Sequence, residues 1–161
     1  SIALEKADDI LLGVIYDPVL GELFTAEKEK GARLNGRIIR VSNTDQLTHS
    51  LLATGFPYDI RESQNNNLVH FSSFIMKAQA IRRAGSAALD LCYVAMGRFD
   101  GFWELKLSPW DVAAGSLIVR EAGGVVTNFL GGDFHIDSQE ILASNGKIHE
   151  EMVTVFEREL S

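Results

Sequence analysis

The chain has 161 residues, 46% of them hydrophobic, with 15 Lys plus Arg against 22 Asp plus Glu, so it can bury a core and carries a net charge of -7. That acidic balance disfavours phosphate backbones and anionic membranes, so neither nucleic acid nor a membrane is expected as a direct partner, and no apolar run reaches the roughly 18 residues of a membrane span. Cys92 is the only cysteine, which excludes an intrachain disulfide and reads as a buried thiol in a reducing, cytoplasmic compartment.

Ser1-Ile-Ala-Leu4 leads within a few residues into the β-rich run Ile10 to Tyr16. With nothing before it to pair with, such a strand would leave backbone donors and an apolar face unpartnered, so the chain reads as part of a longer one. Asp17-Pro18-Val19-Leu20-Gly21 is a turn signal, and Glu22 to Ala26 is the second arm of a hairpin. Gly31 and Asn35-Gly36 mark further tight turns, with Arg37 to Val41 as a returning strand.

After Ser42, strands alternate with helices. Strands are expected at Leu51 to Thr54, Ala80 to Arg83, Phe99 to Leu105, Val125 to Phe129 and Glu140 to Ala143. Helices are expected at Asn67 to Ala78, Ser86 to Met96, Pro109 to Ala122 and Lys147 to Glu159. Such alternation predicts a layered α/β domain with a mixed, largely parallel sheet, following an antiparallel hairpin segment. In such sheets ligands sit where strands hand over to helices.

Three handovers carry polar groups suited to a ligand. Ser108 is a good N-cap, Pro109 suits the first helical position, and Asp111 stands three residues after the cap. A capping box explains that spacing, and on spacing alone it is favoured. Ala113, Ala114 and Gly115 nevertheless leave the helix start bare of bulk, so that a ligand or another backbone can come close. Arg82-Arg83-Ala84-Gly85-Ser86-Ala87 passes from strand to helix through glycine and a capping serine. Free amides there hold a phosphate or hydroxyl, or the serine is an ordinary cap, and the arginines neutralise an anion or face solvent or a second subunit. Glu104 is the lone acid at the end of an apolar strand, either a ligand group or an exposed strand end.

Other chemistries find no support. His49, His70, His135 and His149 show no metal-ligand spacing, Ser86 and Ser116 lack a nucleophile elbow, and no phosphate-binding or dinucleotide glycine motif is present.

Trp110-Asp111-Val112-Ala113-Ala114-Gly115, followed by Glu121-Ala122-Gly123-Gly124, resembles the C-terminal signature of the inositol monophosphatase family of magnesium-dependent sugar phosphatases. Gly13 to Pro18, Gly31 to Gly36, Ala53 to Pro57, Gly85 to Asp90 and Asp100 to Glu104 agree with it in register, nearest to the bacterial type. The resemblance implies part of a layered αβαβα fold, with residues 1–45 the end of an antiparallel α+β domain and 46–161 the C-terminal α/β domain. It implies hydrolysis of a phosphate monoester, inositol phosphate, by metal-activated water, and Mg2+ as cofactor. By position, Asp111 matches a metal ligand that also contacts substrate. Gly85, Ser86 and Ala87 match a segment touching inositol hydroxyls, Glu104 a glutamate bonded to the ring, and Arg82 an arginine near the substrate. The family forms homodimers, and bacterial relatives associate with the transcription machinery.

The departure is equally specific. The family's earlier glutamate and its Asp-Pro-x-Asp-Gly-Thr motif are missing; Asp17-Pro-Val-Leu-Gly-Glu22 imitates the motif, but Leu20 and Glu22 replace its second acid and hydroxyl residue. Asp111 alone cannot meet the several oxygens magnesium needs, so the chain by itself is expected to be inactive. Phosphatase action on another sugar or nucleotide bisphosphate, and a non-catalytic interaction module of the same fold, remain as alternative readings.

Overall fold

Period-two alternation builds the first sheet. Ile15, Phe24, Ala26 and Ala32 point inward and are buried, while Leu12, Tyr16 and Leu23 point outward. The computed structural model, which describes residues 1–7 and 9–158, arranges β1 (Ile2–Lys6), β2 (Asp9–Asp17), β3 (Glu22–Glu27), β4 (Ala32–Leu34) and β5 (Arg37–Ile38) as an antiparallel sheet in chain order.

The expectation that the strand at Ile10 to Tyr16 lacks a partner on its N-terminal side is overturned. β1 pairs with β2 from Ile2 opposite Val14 to Lys6 opposite Asp9. β1 carries little burial signal because Ile2 and Leu4 lie on the exposed face. The strand expected over Arg37 to Val41 stops at Ile38. Ile39 N still donates to Ala32 O at 3.0 Å, but Val41 N donates to Ala122 O at 3.2 Å, drawing the chain off the sheet.

The second sheet comprises β6 (Leu51–Thr54), β7 (Ala80–Arg82), β8 (Gly101–Leu105), β9 (Val125–Thr127) and β10 (Glu140–Ser144), in the order β7-β6-β8-β10-β9. β6 runs parallel to β7 and β8, and β10 is antiparallel to both β8 and β9. Four strands therefore share one direction and β10 alone opposes them. The helices are α1 (Leu68–Ile75), α2 (Ala87–Ala95), α3 (Pro109–Glu121) and α4 (His149–Glu157). The expected last helix reached Glu159, which lies outside the described residues.

Two apolar clusters define the layers. In one, Ile15 and Phe24 of the first sheet meet Leu91 and Val94 of α2, Val112 and Ile118 of α3, and Phe102 and Ile141 of the second sheet. In the other, Leu52, Trp103 and Leu142 on the opposite face of the second sheet meet Phe74 of α1 and Met152 and Phe156 of α4. The order is sheet, helices α2 and α3, sheet, helices α1 and α4, and the inner cluster crosses residue 45 without a break.

Glycines set the close approaches. A Cβ on Gly13 would stand 2.8 Å from the Ala114 carbonyl oxygen, and one on Gly115 would stand 2.5 Å from Leu91 Cδ1. The small residues of α3 thus serve backbone packing, β2 against one side and α2 against another.

Candidate active site

The parallel strands end on one side of the second sheet. The chain leaves β6 for α1 on one face, and leaves β7 for α2 on the other, crossing to β8 on the far side of β6. The connections diverge at β6, and the crevice there is bordered by Gly55, Arg83 to Ser86 and Glu104.

Glu104 shares its strand face with Phe102, which packs in the inner cluster, so its side chain points toward the α2 and α3 layer. It lies against the chain at Gly55, where a Cβ would come 2.1 Å from Glu104 Oε1. Burial raises the Glu104 carboxyl to about 7, the charges of Asp90 and Asp111 push the same way, and Arg83 opposes them.

Asp111 caps its own helix. Ser108 N donates to Asp111 Oδ2 at 3.0 Å, satisfying an amide that the helix leaves open. Asp111 is half-buried and its Oδ1 makes no hydrogen bond among the described residues, so one oxygen remains for a ligand. Trp110, 70% exposed, flanks it.

The second handover is built as expected for a capped helix. Gly85 takes φ of +92°, and Ser86 is the N-cap of α2, its Oγ accepting from Leu89 N at 3.4 Å. Ala87 is buried in the first turn. Arg82 and Arg83 are both exposed, and their contacts differ. Arg82 Nη1 donates to the neighbouring Ile81 O at 3.2 Å, whereas Arg83 lies 5.5 Å from the Phe56 ring centre and is the cation that acts on Glu104.

The charges of Asp111 and Arg83 both act on Glu104, and the Gly85-Ser86 turn begins two residues after Arg83. Two further groups belong to the neighbourhood. Gly55 admits the Glu104 carboxylate, and Asp90, one turn into α2, is fully buried with neither oxygen hydrogen-bonded. Its position after Ser86 was the only signal in the sequence, and helical spacing does not reveal an acid turned inward.

The imitation motif is occupied elsewhere. Asp17 Oδ1 accepts from Val19 N at 2.8 Å and Leu20 N at 3.2 Å, closing the turn, and Glu22 receives Arg98 Nη1 at 2.7 Å. Among the described residues no three His, Cys, Asp or Glu side chains converge in a geometry that holds a metal ion. A hard cation such as magnesium takes about six oxygens, so the donors of this chain do not make a full site for it.

The chain is a layered α/β protein with helix starts and carboxyls at a strand-order switch, the place where open α/β sheets in general hold their ligands. The model for the inositol monophosphatase family matches residues 1–161, and the chain belongs to that family. It is 48% identical over 152 residues to inositol-1-monophosphatase of Synechocystis sp., covering 94% of this chain and 53% of that protein. It is 44% identical to Nus factor SuhB of Pseudomonas aeruginosa, covering 99% and 60%. The inositol monophosphatase structure from Anabaena superposes with a TM-score of 0.90 at 47% identity, covering 92% of this chain and 59% of that one. The chain thus spans less than two thirds of each relative. No helix among the described residues is long and apolar enough to cross a membrane.

Proposed function

We propose that the chain is the substrate-orienting half of a phosphatase acting on inositol 1-phosphate. The observation that carries this is the electrostatic linkage of Glu104, Asp111 and Arg83 beside the α2 start, in a chain whose relative from Synechocystis is named inositol-1-monophosphatase. A magnesium ion in this site would supply charge stabilisation to the phosphoryl group, with Asp111 giving one oxygen and the other ligands coming from beyond this chain's own donors.

The chain's own residues orient the polyol. Near neutral pH the Glu104 carboxyl, raised to about 7, exchanges between donor and acceptor and suits a sugar hydroxyl, which is both. The Gly85-Ser86-Ala87 turn offers uncommitted helix amides, and Arg83, with Arg82 beside it, balances the anionic end of the ligand. We further propose that the full protein works in the cytoplasm as a homodimer.

The test is phosphate release with magnesium by a chimaera in which the part of the Anabaena protein that this chain does not match is joined ahead of Ser1. Inositol 1-phosphate is expected to be cleaved well above fructose 1,6-bisphosphate, and D111N to lower its release by at least a hundredfold. Preference for the bisphosphate would move the assignment to the other sugar phosphatases. The relation to Nus factor SuhB supports a second reading, an interaction with transcription proteins. Undiminished complementation of a SuhB deletion by a D111N chimaera would favour it.

A further inference from the structure

Lys106 stands two residues beyond Glu104, between β8 and α3, in a backbone conformation that disfavours it. Its φ is +60°, a left-handed value that glycine adopts freely and a lysine adopts against steric resistance. The backbone is held there, since Lys106 N donates to Gln139 O at 2.7 Å. Strain of this kind persists where the surroundings over-determine it. The side chain shows what it gains: Nζ donates to Asp59 Oδ2 at 2.7 Å and to Ser63 Oγ at 2.8 Å.

Both acceptors lie in the segment that leads from β6 to α1. That segment is fastened at three places. At its start, Gly55 lies under the Glu104 carboxylate and Phe56 lies beneath Arg83. At its end, Asn67 accepts from Trp103 Nε1 at 2.8 Å and donates to Thr54 Oγ1 at 2.9 Å. Between them the turns at Asp59 to Ser63 close on themselves, with Ser63 N donating to Asp59 O at 2.9 Å, and Lys106 is the ion pair that ties them to the body. Asp59 Oδ1 is buried without a partner while the side chain as a whole is 45% exposed, and Lys106 is the cation paired with its other oxygen.

We propose that Lys106 is a positioning residue of the crevice, whose ammonium, clasped between Asp59 and Ser63, holds the 55–66 segment as the wall against which Glu104 and Arg83 are set. The wall's use for substrate rests on the phosphatase reading above; the clasp itself does not. Without it the segment keeps its two ends but loses its middle, water reaches Glu104 past Gly55, and the Phe56 face under Arg83 is no longer fixed. The charges of Asp90 on α2, Asp111 on α3 and Arg83 just past β7 act on Glu104, and the wall meets it at Gly55.

The experiment uses the 161-residue chain and needs no activity. Hydrogen exchange and carboxyl-carbon NMR titration are compared for the parent, K106Q, K106G and K106R. Exchange of amides 57–66 is expected to quicken about tenfold in K106Q and K106G, with K106R close to the parent, because a charged hydrogen-bonded pair is lost from one local unit. The Glu104 midpoint is expected to fall from about 7 toward the ordinary carboxylate range in the first two variants. K106G is expected to lose less melting temperature than K106Q, since both lose the ion pair and glycine relieves the left-handed backbone. Unchanged exchange in both variants overturns the clasp. Faster exchange with an unmoved Glu104 midpoint overturns the positioning role. Exchange quickened across the whole chain with a lowered melting temperature shows a merely structural lysine and overturns the proposal. A chimaera without phosphatase activity would contradict the functional reading and leave these results standing.

Discussion

Two carboxyls dominate the chain at the scale of single residues. Asp90 is fully buried and unpartnered, and burial alone raises it to about 7 from an ordinary 3.8. A raised carboxyl binds its proton more tightly folded than unfolded, so its contribution to stability is complete below about pH 3.8 and is lost as the pH rises to about 7. Asn in its place carries no charge to bury. D90N is therefore expected to unfold at higher denaturant than the parent at pH 8, by on the order of 2–4 kcal/mol, with the difference gone near pH 4. Equal stability of the two proteins at pH 8 would show that Asp90 has a partner in solution. Asp111 presents the opposite situation, a carboxylate partly employed. Its capping bond to Ser108 N was legible from the Ser-Pro-x-Asp spacing, and the open Oδ1 was not, because spacing says nothing of where the second oxygen points. In the 161-residue chain, D111A is expected to cost about 1 kcal/mol in urea unfolding through the lost cap.

Among the elements, the helix starts and the glycine contacts decide the geometry. α3 reaches β2 of the first sheet closely because Gly13 faces Ala114, and reaches α2 closely because Gly115 faces Leu91. G13A is expected to destabilise by roughly 1–3 kcal/mol, measured by urea unfolding, because rigid backbone on both sides must separate. A cost below a few tenths would mean that β2 can slide. The α3 small residues invited two readings, a bare surface for a ligand or a bed for backbone, and the structure selects the second since Ala113 to Gly115 are buried. Most strands and helices were readable within a few residues because apolar alternation and caps are local signals. β1 was not, as its apolar side chains face outward; nor was the strain at Lys106, since a left-handed φ at a lysine has no sequence signature. By resemblance Arg82 was the arginine expected near the substrate, whereas Arg83 is the one that lies over Phe56 and whose charge acts on Glu104.

For the whole molecule, four alternating layers leave the outer face of the first sheet open, with Ile2, Leu4, Tyr16 and Ile38 exposed along it. The alternation of strands and helices made the layered class legible. The strand order β7-β6-β8-β10-β9, which creates the crevice, was not, because pairing between distant strands depends on packing that no local pattern encodes. The same scale holds the central claim, that Glu104, Asp111 and the α2 start orient a substrate whose metal site this chain does not complete. The most direct measurement is phosphate release from inositol 1-phosphate with magnesium, for the 161-residue chain of verified intact mass beside the chimaera. The account predicts background release from the chain and turnover from the chimaera; full turnover by the 161-residue chain alone would contradict it.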